Sequence, residues 1–195
     1  VHDVLLEAVT PENVARIHAA AARAIEHLYG QDREAAGRIA RHFDAAGEHA
    51  RAAPYWLRQA AAFTDLAAFT EARSLIDRAL RGGPDPTKPE REILARALEL
   101  RATLAHYEGR ADDALALLAE ALSHCRAFPA LTGQALTLKA LVLSACDRWQ
   151  EGLDCADEAS RLARAGGDVA SEAAALNLRG ICRMMLGQTR EAVTD

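Results

Sequence analysis

A recurrence of small side chains at a regular interval is the feature that most limits what this chain can fold into. The residues are Ala72, Ala114, Gly152 and Ala192, and successive ones lie 42, 38 and 40 residues apart. Each follows a turn signal, at the place where a returning helix would cross the helix before it. Two antiparallel helices approach closely only where one lacks bulk, and such a period is typical of stacked helix pairs. The pattern predicts an all-α, right-handed superhelical stack of antiparallel helix pairs without a sheet.

The spacing of apolar residues supports helices between these turns. Val14, Ile17 and Ala21 recur at steps of three and four, as on one face of a helix. Thr10 and Pro11 suit the start of that helix, because threonine caps helices and proline needs no amide partner in the first turn. The predicted helices cover residues 11–29, 32–46, 48–67, 70–81, 91–108, 111–126, 132–146, 149–165 and 169–186.

Prolines predict two departures from regular helix. Pro54 lies inside a helical pattern and is expected to kink that helix or to shift its start. Three prolines fall between Pro84 and Pro89, which predicts a loop. A loop of that length suits an insertion within the repeats better than a linker between domains.

Composition and charge exclude several classes of protein. Val, Ile and Thr are sparse, which argues against an all-β fold, and a net charge of −5 lacks the basic footprint of a nucleic-acid-binding surface. The apolar runs are far shorter than the roughly 20 residues that a membrane helix needs. With no signal peptide in view, we expect a soluble, cytoplasmic chain that binds neither nucleic acid directly nor a membrane.

No motif in the sequence carries catalytic or metal-binding chemistry. The patterns G-x-x-x-x-G-K-[ST] and H-E-x-x-H do not occur, and no two of the seven histidines lie four residues apart. The four cysteines form no C-x-x-C pair, so we expect buried free thiols rather than a zinc or disulfide framework. We therefore predict no catalytic residue, no metal site and no cofactor.

The repeated segments resemble the tetratricopeptide repeat (TPR) family from about Asp32 to the end of the chain. The likeness is carried by a turn and returning helix such as Gly109 to Ala114, followed by Leu118 and Ala121. Similar segments begin at Gly47, Phe69, Asp147 and Gly187. The usual TPR has 34 residues, and the longer spacing here is similar to that of elongated TPR-like repeats in bacterial regulators of the STAND ATPase class.

The N-terminal segment resembles a junction found in the same class, where a winged-helix-like end of the ATPase module passes into helices and then into repeats. The likeness rests on His2 to Val9, Arg16 to His18 and Ala24 to Tyr29, with further residues at Ala40 to Gly47 and Ala53 to Ala60. Such architectures occur in LuxR-type and antibiotic-regulatory-protein-type activators and in some large nucleotide cyclases.

This resemblance implies a domain organisation. Residues 1–30 would be the tail of the preceding module with its linking helix, and residues 31–195 would be TPR-like repeats, the last of them truncated. Truncation is expected to expose apolar residues of the last long helix, among them Leu176, Ile181 and Met185. The chain is interpreted as a segment of a longer protein.

The leading hypothesis for function is a non-catalytic sensor and interaction region of a larger ATPase-type signalling or transcriptional regulator. Its partners would be a protein or small effector in the repeat groove and other domains of the parent chain. The alternative is a stand-alone TPR adaptor that binds peptides or proteins, and an enzyme on a helical-repeat fold is a third hypothesis. The family's clamp for a terminal carboxylate is not expected, because the groove positions hold one Asn and no Lys.

In stacked helix pairs the first helix of each pair lines the concave groove, which predicts the binding residues. These face away from the small contact residues Ala102, Ala140 and Gly180. The predicted groove residues are Arg96, Glu99, Thr103 and His106 in one pair, Gln134, Thr137, Leu141 and Ser144 in the next, and Asn177, Ile181 and Met184 in the third. Their mixed character suits a polar small effector or a peptide. Packing of this face against another domain of the parent protein is the open alternative.

Because no phosphate-cradling loop is present, the chain is expected to bind no nucleotide tightly. Calorimetric titration of the purified chain with ATP and magnesium should show no saturable binding in the sub-millimolar range. Saturation of one site in that range would contradict the prediction.

Overall fold

Helices and turns make up all of the chain that the computed structural model describes, which is residues 10–82 and 88–193. The helices are α1 (Pro11–Tyr29), α2 (Ala36–Ala45), α3 (His49–Asp65), α4 (Phe69–Ala79), α5 (Lys88–Tyr107), α6 (Ala111–Cys125), α7 (Pro129–Ala145), α8 (Trp149–Gly166), α9 (Val169–Met185) and α10 (Thr189–Val193), with a 3₁₀ turn at Leu80–Gly82. The predicted all-α class is confirmed. Residues 1–9, which carry part of the N-terminal resemblance, and 83–87, in the predicted loop, lie outside the described residues. None of the described helices combines the length and hydrophobicity that crossing a lipid bilayer requires.

Helix starts differ from the predicted ones where a capping side chain or a proline intervenes. α2 begins at Ala36 rather than at residue 32, because the Asp32 carboxylate accepts a hydrogen bond from the Glu34 amide (2.9 Å) and favours a turn there. α5 and α7 begin earlier than predicted, at Lys88 and Pro129, because a proline in the first turn loses no needed hydrogen bond.

α3 runs from His49 to Asp65 with Pro54 inside it. The start at His49 is within one residue of the predicted position, so Pro54 does not displace it. Pro54 lies in the second turn, where the amide that it lacks would have bonded a carbonyl near the start of the helix.

Left-handed residues close six of the turns between the described helices. At four turns that residue is a glycine with φ between 70° and 79°, namely Gly47, Gly109, Gly167 and Gly187. The next amide then bonds a carbonyl in the last turn of the preceding helix, as from Arg110 to Ala105 at 2.8 Å. This Schellman arrangement satisfies carbonyls that the helix end leaves unpaired.

Two turns of the same kind use residues with a β-carbon. Ala67 has φ 57° and Asp147 has φ 59°. The backbone amides of the next residues, Ala68 and Arg148, also donate to a carbonyl in the last turn of the preceding helix, at 2.9 and 3.0 Å. The turn geometry therefore recurs where the glycine does not, although a β-carbon disfavours it by about 1–2 kcal/mol.

The helices group into two compact units, Val1–Asp85 and Pro86–Asp195, and the boundary falls within the predicted loop. In the first unit α1 contacts α2, α2 contacts α3, and α3 contacts α4. In the second unit α5 to α10 pack in the same sequential way, and α5 also contacts α7 while α7 contacts α9. Thus α5, α7 and α9 lie side by side, whereas α6 and α8 make no such contact among the described helices.

Small side chains form much of the core of the second unit. Ala102, Ala114 and Ala135 are buried together with Leu118 and Val142, and this cluster joins α5, α6 and α7. The predicted small residue of α6, Ala114, is fully buried at the centre of that contact.

Gly152 marks the crossing of α8 over α7. A β-carbon there would lie 3.1 Å from Ser144 Oγ and 3.3 Å from the Ala140 carbonyl oxygen, closer than ordinary contact. Ala72 is fully buried on α4, whereas Ala192 is half-buried on the short α10. The predicted crossing points are confirmed at Ala72, Ala114 and Gly152.

The cysteines occupy three kinds of environment. Cys125 and Cys182 are buried free thiols, as predicted, and Cys155 is half-buried. Cys146 is exposed, so the prediction of a buried thiol is wrong there, because this residue caps the end of α7 rather than facing its core side.

A glycine at position 67 is expected to stabilise the protein, because it removes the β-carbon from a left-handed residue. Ala67→Gly should raise the free energy of unfolding by about 1 kcal/mol, measured by urea denaturation followed by circular dichroism. The opposite change at an equivalent turn, Gly109→Ala, should lower it by a similar amount. A destabilised Ala67→Gly variant would contradict the left-handed turn.

Candidate functional site

A pocket of about 300 Å³ lies across α5, α7 and α9. Its lining residues are Glu99 from α5, Gln134, Thr137, Leu138 and Leu141 from α7, and Ser171, Ala174 and Leu178 from α9. Steps of three and four along α7 place its four residues on one face of that helix. The volume is at the lower end of ligand pockets, which suits a small molecule or a single side chain. We call this cavity the central pocket.

Four predicted groove residues line the central pocket: Glu99, Gln134, Thr137 and Leu141. They come from two predicted sets on two helices, and the side-by-side packing of α5 and α7 brings them together. The α9 residues of the pocket were not predicted from the sequence. The signal that was present is the capping pair of Asp168 and Ser171, which places Ser171 in the first turn of α9.

The third predicted set lines a different cavity. Asn177, Ile181 and Met184 face a pocket of about 340 Å³ that α9 forms with α10. Ile181 and Met184 are 37% and 57% exposed, and Met185 is 53% exposed. The predicted exposure is therefore confirmed for Ile181 and Met185, whereas Leu176 is half-buried.

Three predicted residues of α5 lie outside both pockets. Arg96 is exposed and pairs with Glu92 at 3.2 Å. Thr103 donates its hydroxyl hydrogen to the backbone carbonyl of Glu99 at 3.0 Å, and His106 is half-buried near the end of the helix. Arg96, Thr137 and Asn177, one from each predicted set, therefore do not come together in either of these two pockets.

Ser144 lies in the core rather than in the groove. Its hydroxyl donates to the Ala140 carbonyl at 2.7 Å and lies 3.2 Å from Cys182 Sγ. A serine whose hydroxyl is satisfied by its own helix is compatible with burial. The sequence prediction is therefore wrong for Ser144, which its position in the helical period placed among the groove residues of α7.

Glu99 supplies the charge of the central pocket, and its surroundings oppose ionisation. Burial, which deprives the carboxylate of hydration, raises the pKa of Glu99 to about 7. The positive charge of Arg96, one turn earlier, acts in the opposite direction. The lining residues from α7 and α9 are uncharged. Near neutral pH the side chain is thus divided between its acid and its carboxylate.

Both hydroxyl groups that line the central pocket donate their hydrogen to another group of the protein. Thr137 donates to the Gly133 carbonyl at 2.9 Å, within α7. Ser171 donates to the Asp168 carboxylate at 2.6 Å, at the start of α9. Both oxygens therefore meet a further partner as hydrogen-bond acceptors.

The first unit has a pocket of its own, of about 410 Å³, between α2, α3 and α4. Trp56, only 2% exposed, lines it, and its Nε1 donates to Asp44 at 3.2 Å. The Arg78 guanidinium lies 5.3 Å from the ring centroid. The other lining residues are Arg41, Gln59, Phe63, Thr70, Glu71, Ser74 and Leu75. Sequence analysis assigned no site here, because three helices contribute these residues and no motif links them.

Two histidines meet between α1 and α2. The Nδ1 atoms of His18 and His42 are 2.9 Å apart, which requires one ring to donate and the other to accept. Burial and then the neighbouring His18 lower the pKa of His42. Within residues 10–82 and 88–193, no group of three or more His, Cys, Asp or Glu side chains is placed to hold a metal ion.

No protein-family model and no curated protein sequence matches this chain. Function is therefore inferred from the pockets and the residues that line them.

The raised pKa of Glu99 makes its effect on stability dependent on pH. The carboxyl proton of Glu99 is bound more tightly in the folded chain than in the unfolded chain. Its contribution to the free energy of unfolding is therefore complete below the ordinary pKa of 4.5 and is lost as pH rises through about 7. Glu99→Gln cannot ionise and should melt at a higher temperature than the parent at pH 8, but at nearly the same temperature at pH 4.5.

The matched control for this prediction is Glu120→Gln, which removes an exposed carboxylate from α6. Its melting temperature should differ from that of the parent by a similar small amount at both pH values. A Glu99→Gln variant whose difference from the parent does not change with pH would show that Glu99 is fully hydrated.

Proposed function

We propose that the chain is a non-catalytic sensor and interaction region, built of TPR-like repeats, within a larger ATPase-type signalling or transcriptional regulator. In this proposal the face formed by α5, α7 and α9 binds an effector or a protein partner, while α6 and α8 cover the opposite side. The observation that carries the proposal is the central pocket, which spans these three helices and includes four residues predicted from the sequence.

The packing of the second unit supports the repeat interpretation. The backbone of α7 approaches those of α5 and α9, whereas those of α6 and α8, among the described helices, do not approach each other. When the first helices of successive pairs lie closer together than the second helices, the stack curves toward the side of the first helices. Such curvature gives α-solenoids their concave binding surfaces.

The chemistry of the central pocket favours a ligand over simple packing against another domain. Leu138, Leu141 and Leu178 supply apolar surface, while Glu99 and Thr137 supply polar groups at the same cavity. Apolar walls with a few convergent polar groups are typical of ligand sites. A face that served only for packing would gain nothing from a carboxylate whose burial opposes its ionisation.

The sequence that precedes Val1 in the parent protein distinguishes a regulator from a stand-alone TPR adaptor. A nucleotide-binding loop some hundreds of residues upstream would support the regulator, because the N-terminal resemblance is to the end of an ATPase module. A start codon close to Val1 would favour the adaptor.

Peptides selected on this chain from a random display library are expected to bind the central pocket. Thr137→Arg places a long charged side chain in the cavity and should weaken binding of the selected peptides by at least about tenfold, measured by calorimetry. Ala119→Arg, at an exposed position of α6, is the matched control and should leave their affinity unchanged.

Circular dichroism must show equal helix content for both variants. Selected peptides that bind the Thr137→Arg variant as tightly as the parent would place the binding site on another face.

A further inference from the structure

We infer that the central pocket binds an alkylammonium group, either a small primary amine or the side chain of a lysine in a peptide. The inference rests on the proposed function, in which this face binds a ligand, and it adds the chemistry of that ligand. Charge, hydrogen-bond polarity and shape of the pocket each support it.

The charge of the pocket selects a cation. Among the described residues that line it, Glu99 alone is charged. Opposite charges attract more strongly where burial limits the surrounding water, and burial is the main influence on Glu99. Arg96, the cation one turn earlier on α5, is paired with Glu92 at 3.2 Å, outside the pocket. A bound cation would compensate the carboxylate, whereas an anion would be repelled by it.

The hydrogen-bond polarity of the pocket favours a donor, because only Gln134 among its lining side chains has N–H groups, and its amide oxygen can also accept. The hydroxyl hydrogens of Thr137 and Ser171 are committed to Gly133 and Asp168, so both oxygens offer lone pairs. With the carboxylate of Glu99, the pocket presents acceptors from each of its three helices. An ammonium group has three N–H donors and no acceptor, so it complements this set.

The shape of the pocket selects an aliphatic stem beside the charge. Leu138 and Leu141 from α7 and Leu178 from α9 line the same cavity as Glu99. The methylene groups of an alkylamine or of lysine pack on apolar surface while the charged end seeks polar partners. A volume of about 300 Å³ has room for one such group.

The inference is tested with n-butylamine on the whole chain, followed by heteronuclear NMR at pH 8, where an alkylamine is still protonated. We expect saturable shifts of the backbone amides of Gln134, Thr137 and Ser171. Butyrate and n-butanol, which have the same stem without the cation, should bind at least about tenfold more weakly. Butyrate that binds as tightly as butylamine would overturn the inference.

A substitution and a change of pH each remove the negative charge of Glu99 without altering the shape of the pocket. Glu99→Gln should weaken butylamine binding at least about tenfold, whereas Glu120→Gln, on the exposed surface of α6, should not. Lowering the pH from 8 to 5.5 protonates Glu99 and should weaken binding to the parent chain but not to Glu99→Gln. Unchanged affinity of the Glu99→Gln variant would overturn the inference.

A peptide-binding experiment distinguishes failure of this inference from failure of the proposed function. Selected peptides that bind the central pocket should contain a lysine, and its replacement by norleucine should weaken binding at least about tenfold. If peptides bind the pocket without needing that lysine, the ligand chemistry is wrong and the proposed function stands. If neither peptides nor butylamine shift the amides of the pocket, both are wrong.

Discussion

Close approach of neighbouring helices at alanine and glycine crossings is the constraint on which the second unit depends. Ala102, Ala114 and Ala140 are fully buried between helices, and a β-carbon on Gly152 would press against Ser144. Protein interiors are packed so densely that added bulk forces backbones apart. The buried clusters that contain Ala102, Ala114 and Ala140 also include residues of α5, α7 and α9, the three helices that line the central pocket.

Glu99 is a half-buried carboxyl group that lines the central pocket. Burial raises the pKa of Glu99 to about 7, so its charged form is disfavoured at the position that it occupies. Carboxylates in such surroundings, beside a cavity, are typical of functional sites. The uncharged acceptors Thr137 and Ser171 share the pocket, which allows a cationic ligand to add to the counter-charge that Arg96 supplies from outside the pocket.

The first unit adds buried aromatic side chains and side-chain hydrogen bonds to a core that is also rich in alanine. Phe43 and Trp56 are buried in its core. Tyr55 on α3 donates to Glu26 on α1 at 2.6 Å, and Arg51 pairs with the other oxygen of that carboxylate at 2.9 Å. Burial and the hydrogen bond to Glu26 raise the pKa of Tyr55 to about 12. Buried alanines thus pack the helices of both units, and the first unit adds aromatic packing and polar links between helices.

The sequence by itself determined the helices, most of their turns and the crossing residues Ala72, Ala114 and Gly152, because these depend on periodicity and on turn chemistry between near neighbours in the chain. It also placed Glu99, Gln134, Thr137 and Leu141 on the face that forms the pocket. Only the tertiary structure decided that Ser144 is buried and that Ser171 completes the cavity. Helical period sets the direction of a side chain around its own helix. The residues that this side chain contacts depend on the register of adjacent helices along each other. Contacts between distant segments of the chain set that register.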